Sequence, residues 1–148
     1  MASGGRLNEV EMGAWGGFLR THHALVAELD DELRREHDLP LTSFDVLAQL
    51  DNAPGRQLRM SELADAVLLS RSGVTRLVER LERRGLLERR ECSDDARGAF
   101  AVLTDDGVAR LREARETHLA GVRERFLQRF DDKELRELGE VWRRLLHS

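Results

Sequence analysis

The residues with the clearest chemical potential lie between Arg71 and Arg90, where arginine is concentrated. This stretch holds seven arginines and three glutamates, a local charge of +4 in a chain whose formal net charge is −4. A guanidinium group can donate two parallel hydrogen bonds to guanine O6 and N7, and it also binds phosphate. A basic segment in an acidic protein indicates a confined nucleic-acid contact rather than indiscriminate binding. The alternative is an ordinary solvated helix face with ion pairs such as Glu79 with Arg83.

The segment around these arginines predicts a helix that begins after Ser70, whose hydroxyl can cap it, and ends before Gly85. A shorter helical pattern, SELADAVLL, precedes it, and two strand-like runs, LLERRE and AFAVLT, follow it. The polar loop CSDDARG joins these runs as a hairpin. Helical spacing places Val74, Leu77, Val78 and Leu81 toward the core and turns the opposite side outward. The outward residues are Ser70, Arg71, Ser72, Thr75, Arg76 and Arg80.

Helix, turn, helix and hairpin together form a winged helix-turn-helix, and here the sequence resembles the MarR-type (multiple-antibiotic-resistance) transcriptional regulators. The resemblance rests on SELADAVLLSRSGVTRLVERLERRGLLERR and on the wing SDDARG. In this wing Asp95, Arg97 and Gly98 match the family's acidic-x-Arg-Gly pattern, and the similarity extends from about Met12 to His147. The resemblance implies a ligand-responsive homodimeric repressor that binds a palindromic operator through recognition helix 70–84 and wing 91–98.

The flanking segments predict long amphipathic helices. Apolar residues recur at steps of three and four from about Glu11 to His37, and again in two helices beyond the wing that Thr104 and Asp131 can cap. These stripes carry more apolar surface than a lone winged domain can bury, which predicts a homodimer. We therefore expect a mainly α fold with a small β-wing (α+β). Residues 11–37 and 104–147 would form its helical dimerisation region and residues 42–103 its DNA-binding region, with Thr42 and Asp45 starting the second helix.

The geometry of a helix in the major groove suggests a role for each outward residue, because its N-terminal part touches base edges. Thr75 and Arg76 are predicted to contact bases, and Ser70, Ser72 and Arg80 to contact phosphates. The resemblance implies that Arg97 enters the minor groove, where a narrow A·T tract has an enhanced negative potential. Asp95 would hold that guanidinium by paired hydrogen bonds. The alternative is that the two residues only stabilise a tight turn.

The resemblance also implies that a small anionic aromatic effector binds between the dimerisation helices and the winged region. The candidate ligand-binding residues are Trp15, Arg20, His22, His23, Phe44, Asp45 and Arg89. Trp15, His22 and Phe44 also lie on apolar stripes, so a plain core role stays open for them. Asp45, Arg76 and Arg89 match positions of the urate-responsive branch, but its tryptophan on an extra N-terminal helix has no counterpart here. The alternative for Asp45 is an ion pair with Arg89 that braces the winged region.

Several other classes of protein are disfavoured. Cys92 is the one cysteine, so no internal disulfide can form, and the adjacent His22 and His23 point in different directions on a helix. No Gly-rich phosphate loop, metal-ligand spacing or nucleophile elbow occurs, so we expect neither an enzyme nor a cofactor. The start, MASGGRLNEVE, lacks an apolar signal region and no membrane-spanning run follows, which predicts a cytoplasmic protein. The second hypothesis is a winged-helix protein-interaction module without specific DNA binding, but it leaves the arginines without a role.

Overall fold

A computed structural model describes residues 5–67, 69–91 and 98–147, without the side chain of Arg71. Short 3-10 turns occupy Pro54–Arg56 and Leu127–Arg129. The helices and strands, in chain order, are α1 (Glu9–His37), α2 (Leu41–Asn52), β1 (Gln57–Arg59), α3 (Met60–Val67), α4 (Arg71–Arg83), β2 (Leu87–Glu91), β3 (Ala99–Leu103), α5 (Asp105–Arg125) and α6 (Asp132–Leu146). The predicted mainly helical fold with a small wing is confirmed.

Local capping explains where the first two helices begin. Asn8 and Glu11 form a reciprocal capping box, so α1 starts at Glu9, slightly earlier than predicted. The prediction that Thr42 and Asp45 start the second helix is wrong. That helix begins at Leu41, whose backbone N–H donates to Asp30 Oδ1 at 2.8 Å. A carboxylate from α1 therefore satisfies the free N–H that a local cap would otherwise take.

The three strands form one antiparallel sheet in the order β1-β3-β2, with the wing hairpin as its larger part. Leu87 faces Leu103, and Ala101 faces both Leu58 and Arg89. These positions turn toward the core, where Leu87 and Ala101 are fully buried. The two strands predicted from LLERRE and AFAVLT are therefore confirmed, and β1 adds a short third strand at the edge of the sheet.

The core lies between the end of α1, helices α2, α3 and α4, the sheet and the first half of α5. Thr104 caps α5 by accepting from the Gly107 N–H at 3.0 Å, and it also donates to the Gly85 carbonyl at 2.7 Å. Helix α5 ends at Arg125, and Asp131, the predicted cap of α6, forms a reciprocal capping box with Glu134. None of the helices in the described ranges has the length and apolar character needed to cross a lipid bilayer.

Candidate nucleic-acid interface

Helix α4 has one buried face and one polar face. Val74, Leu77, Val78 and Leu81 are at most 3% exposed, so they fix the helix against the core. On the other side Ser72, Arg76 and Arg80 are exposed, and Thr75 is half-buried. Arg71 is the first residue of the helix, but its side chain lies outside the described part of the chain. The structure therefore brings the exposed candidates of this helix onto one surface.

Ser70 combines a structural role with a position at this surface. Its hydroxyl oxygen accepts from the Gly73 N–H at 3.1 Å and lies 3.2 Å from the Ser72 hydroxyl. This confirms the predicted cap, which leaves the two hydroxyl groups together at the exposed start of α4. A side chain at Gly73 would place its Cβ 3.1 Å from the Ser70 oxygen. The glycine thus leaves room for the cap.

Arg89 holds the wing hairpin against α4. Its backbone N–H donates to Glu82 at 3.0 Å, and its guanidinium lies 3.5 Å from Glu82 and 3.9 Å from Glu79. The predicted Asp45–Arg89 ion pair is therefore wrong, because β2 packs beside α4 and Arg89 pairs with the carboxylates of that helix instead. The suggested Glu79–Arg83 pair is likewise replaced by Glu79 with Arg89. With Glu79 and Glu82 engaged by the hairpin, Arg76 and Arg80 dominate the charge of the outward face.

The wing tip bears the remaining DNA-contact predictions. Asp95 and Arg97, together with Cys92, lie outside the described residues. The hairpin is described up to the pair of Glu91 with Ala99, which is the last pair before the tip. The assignments of Asp95 and Arg97 therefore stay predictions from the sequence.

Part of the predicted effector site comes together in an open cavity of about 500 Å³ between α1 and α2. His22, His23 and Asp45 line it, and burial raises the pKa of the Asp45 carboxyl above its ordinary value of 3.8. Sequence reasoning missed the other lining residues, since only the contact of α1 with α2 brings them together. They are Val26, Ala27, Asp30, Arg34, Leu41 and Thr42.

The single chain places the other effector candidates elsewhere. Trp15 lies in a separate apolar cleft, with its ring 6.2 Å from that of Phe18. Phe44 packs against His118 at 4.6 Å between ring centres, and Arg20 folds back over Gly16. Arg89, as described, lies on the wing hairpin. Within the described residues Trp15 thus packs beside Phe18 and Phe44 beside His118, so the structure does not bring these two effector candidates together.

His118 is a partly buried residue with a buried Nδ1 atom, and the sequence did not single it out. Its Nδ1 atom has no hydrogen-bond partner within the described structure. Burial lowers the pKa of His118 below 6.5, and the negative charge of Glu32 acts in the opposite direction. A search of the described residues finds no group of three or more His, Cys, Asp or Glu side chains that could hold a metal ion.

Comparisons with known proteins agree with this geometry. The model of the MarR family matches residues 37–98. The HTH-type transcriptional regulator PecS of Dickeya dadantii (strain 3937) is 30% identical over 138 residues, covering 89% of this chain and 82% of PecS. The transcriptional repressor MprA of Escherichia coli (strain K12) is 39% identical over 72 residues, covering 49% of this chain. That match spans 41% of MprA, so this chain aligns with less than half of the repressor's length.

Solved structures show the same fold. AbsC, a MarR family transcriptional regulator from Streptomyces coelicolor, is 30% identical with a TM-score of 0.90, covering 97% of this chain and 96% of AbsC. Sco3205, another MarR family transcriptional regulator from that organism, was solved in complex with DNA. It is 33% identical with a TM-score of 0.91, covering 96% of this chain and 89% of Sco3205. These relatives are described as transcriptional regulators rather than enzymes.

Proposed function

Because this chain belongs to the MarR family of transcriptional regulators, we propose that it is a homodimeric repressor that binds a pseudo-palindromic DNA operator. The observation that carries this proposal is the exposed polar face of α4, which Ser70 caps and the wing hairpin braces. The DNA complex of Sco3205 and the repressor role in the name of MprA support it.

In this proposal α4 enters the major groove and the wing enters the adjacent minor groove. Thr75 and Arg76 contact bases, and Ser70, Ser72 and Arg80 bind phosphates. Arg71 is a further DNA-contacting residue. Arg97 reads the minor groove with Asp95 holding its guanidinium. The exposure of Arg76 and Arg80 supports these roles, since both can reach a duplex without rearrangement of the core. Residues 42–103 form the DNA-binding region.

The proposed dimer is supported by large apolar side chains that are exposed to solvent in the single chain. Trp15 is 56% exposed and Leu145 is 66% exposed, and both line a cleft of about 820 Å³ between α1 and α6. A contiguous exposed apolar surface of this kind marks an interface. We therefore assign residues 11–37 and 104–147 to dimerisation, with two-fold symmetry relating the two copies of α4.

Selection of bound fragments from genomic DNA tests the proposal, because it yields the operator directly. Half-sites should be centred about 10 bp apart, as expected for two helices on one side of the duplex. In competition assays with the selected operator, Arg76→Ala should relax specificity at particular bases by about 1–3 kcal/mol. Arg6→Ala, at an exposed position before α1, is the control. Equal binding of all sequences by the parent protein would refute specific recognition.

We further propose that a small anionic aromatic compound releases the dimer from DNA by binding in the cavity between α1 and α2. The imidazole N–H groups of His22 and His23 can donate hydrogen bonds to the anionic group of the compound. The Asp45 carboxyl, whose pKa is raised by burial, can form a hydrogen bond with a polar substituent. Release requires that the compound bind one spacing of the two recognition helices better than the other. Salicylate-like and urate-like compounds titrated against a labelled operator test this. His23→Ala should blunt release without weakening ligand-free DNA binding, and a panel without effect would contradict the proposal.

A further inference from the structure

The outer face of the wing sheet carries a row of three side chains that the proposed contacts with the operator do not use. Arg59 of β1 lies opposite Phe100 of β3, and Phe100 lies opposite Arg90 of β2. Residues directly opposite each other in an antiparallel sheet share a face. The neighbouring positions Leu58 and Ala101 turn toward the core, so the row of Arg59, Phe100 and Arg90 faces outward.

This row presents two guanidinium groups on an aromatic support. The guanidinium carbon of Arg59 lies 5.2 Å from the centre of the Phe100 ring, a cation–π contact that orients an exposed side chain. The side chain of Arg90 is 63% exposed and lies 3.4 Å from Glu88 in the next row of the same face. Two strand spacings separate the backbones of Arg59 and Arg90, about 10 Å. Two cations at such a spacing can each bind a separate phosphate group of a duplex backbone.

The position of the row relative to α4 indicates which phosphates it can reach. Arg89, next to Arg90, points to the opposite face of β2, where it contacts Glu79 and Glu82 of α4. The row also lies only one residue pair from Glu91 and Ala99, where the wing tip begins. When the wing enters a minor groove beside α4, the outer face of the sheet is directed away from α4, along the axis of the duplex. It therefore faces DNA beyond the half-site.

We propose that Arg59 and Arg90 bind backbone phosphates of the DNA that flanks the operator, with Phe100 holding the Arg59 side chain in position. The proposal rests on the proposed DNA-binding function and extends its footprint past the wing on both sides of the dimer. Phosphate contacts carry no sequence information, so the flanks contribute affinity and a dependence on salt, whatever their sequence.

Binding to two duplexes of different length distinguishes the contribution of the flanking phosphates to affinity from operator recognition. The short duplex ends just past the minor groove that the wing occupies, and the long duplex adds about one helical turn, ~10 bp, of mixed sequence at each end. We expect the parent to bind the long duplex roughly tenfold more tightly at moderate salt. Four additional phosphate contacts per dimer should steepen the slope of log K against log salt by roughly 3.6.

The double variant Arg59→Ala with Arg90→Ala should bind both duplexes with the affinity that the parent shows for the short one. Replacing both residues by lysine should retain most of the gain, because a point charge still binds phosphate. The control is Arg6→Ala, which removes an exposed arginine that lies outside both the sheet and the ranges assigned to dimerisation. Circular dichroism melting verifies that each variant is folded.

The outcomes distinguish this proposal from the proposed function. If the parent gains nothing from the long duplex, or if the alanine double variant keeps the gain and the salt slope, the flank contact is refuted. If the alanine variant fails to fold, the lysine variant still decides the question. Complete loss of the extra affinity for the long duplex in the lysine variant would contradict a phosphate contact. Failure of the parent to bind either duplex would instead refute DNA binding itself.

Discussion

Gly107→Ala tests how closely the first turn of α5 packs against Leu86, which follows the end of α4. Gly107 is buried in the first turn of α5, where its N–H donates to Thr104. An added methyl group would overlap the carbonyl oxygen of Leu86 and lie 2.6 Å from Leu103 Cδ1. Carbon atoms in contact are normally about 3.5–4.0 Å apart, so the methyl group is about 1 Å too close.

The expected cost follows from these contacts. Overpacking costs about 1–3 kcal/mol, and the upper end applies because the obstructing Leu86 oxygen belongs to the backbone and cannot rotate away. Alanine regains at most about 1 kcal/mol of helix propensity. We therefore expect a loss of about 2 kcal/mol, or about 4–8 °C in melting temperature for a chain of this length. DNA affinity should also fall, since Leu86 connects α4 to the wing.

Urea unfolding followed by circular dichroism measures the free energy of unfolding. Protein concentrations are kept equal because the proposed dimerisation would contribute to it. Gly13→Ala is the matched control, because a Cβ at Gly13 in α1 would have no heavy atom within 4 Å. That variant should gain about 0.5–1 kcal/mol. A change of less than about 0.5 kcal/mol in Gly107→Ala, within the range of ordinary surface substitutions, would refute the packing argument.

Three further predictions concern single side chains. Ser70→Ala should cost about 1 kcal/mol of stability through loss of the helix cap, and should weaken operator binding in an electrophoretic mobility assay. Arg125→Met should cost about 2 kcal/mol, because it removes charge-assisted hydrogen bonds of 2.8 Å to Glu28 and 2.6 Å to Glu32, and a double-mutant cycle with Glu32→Gln measures the shared part. Burial lowers the pKa of His118 below its unfolded value of 6.5, so its contribution to stability is complete above pH 6.5 and is lost as the pH falls through the folded pKa. Stability measured from pH 7 to pH 5 should therefore decline less in His118→Gln than in the parent.

The features that could be predicted from the sequence are those determined by local chemistry. The caps formed by Ser70 and Thr104 depend on a hydroxyl and an N–H three residues away, so the order of residues along the chain specifies them. The left-handed turn at Gly85, with φ of 73°, is local in the same sense. Apolar spacing likewise indicated both faces of α4. These regularities explain why the order of helices and strands could be predicted.

The features that could not be predicted depend on the choice among distant partners. Many carboxylates were available to Arg89, and only the packing of β2 beside α4 selects Glu79 and Glu82 over Asp45. The start of α2 was misplaced for the same reason, because its capping carboxylate, Asp30, is in another helix. The roles of the individual DNA-contact residues stay predictions, since they depend on a partner molecule as well as on the fold.

The same distant contacts show how a change at α1 can reach the recognition helix. Asp38, just past the end of α1, lies 3.7 Å from Arg84, just past the end of α4. His37 accepts from Arg110 of α5 through its carbonyl at 2.8 Å. The end of α1 is thus connected to both helices, while the proposed effector cavity opens beside the same segment, at Asp30.

A ligand in that cavity would contact Asp30 and Leu41 and could disturb the hydrogen bond between them, which holds the start of α2 to α1. Any rotation of α1 relative to α2 must then strain or break the pair of Asp38 with Arg84. This pair is exposed at Asp38 and contributes at most about 1 kcal/mol, so breaking it costs little. The buried core of the winged region resists deformation far more strongly. Because Leu33 of α1 is held in this core, the winged region should pivot as a rigid unit about the end of α1, which would change the spacing of the two proposed recognition helices without altering either one.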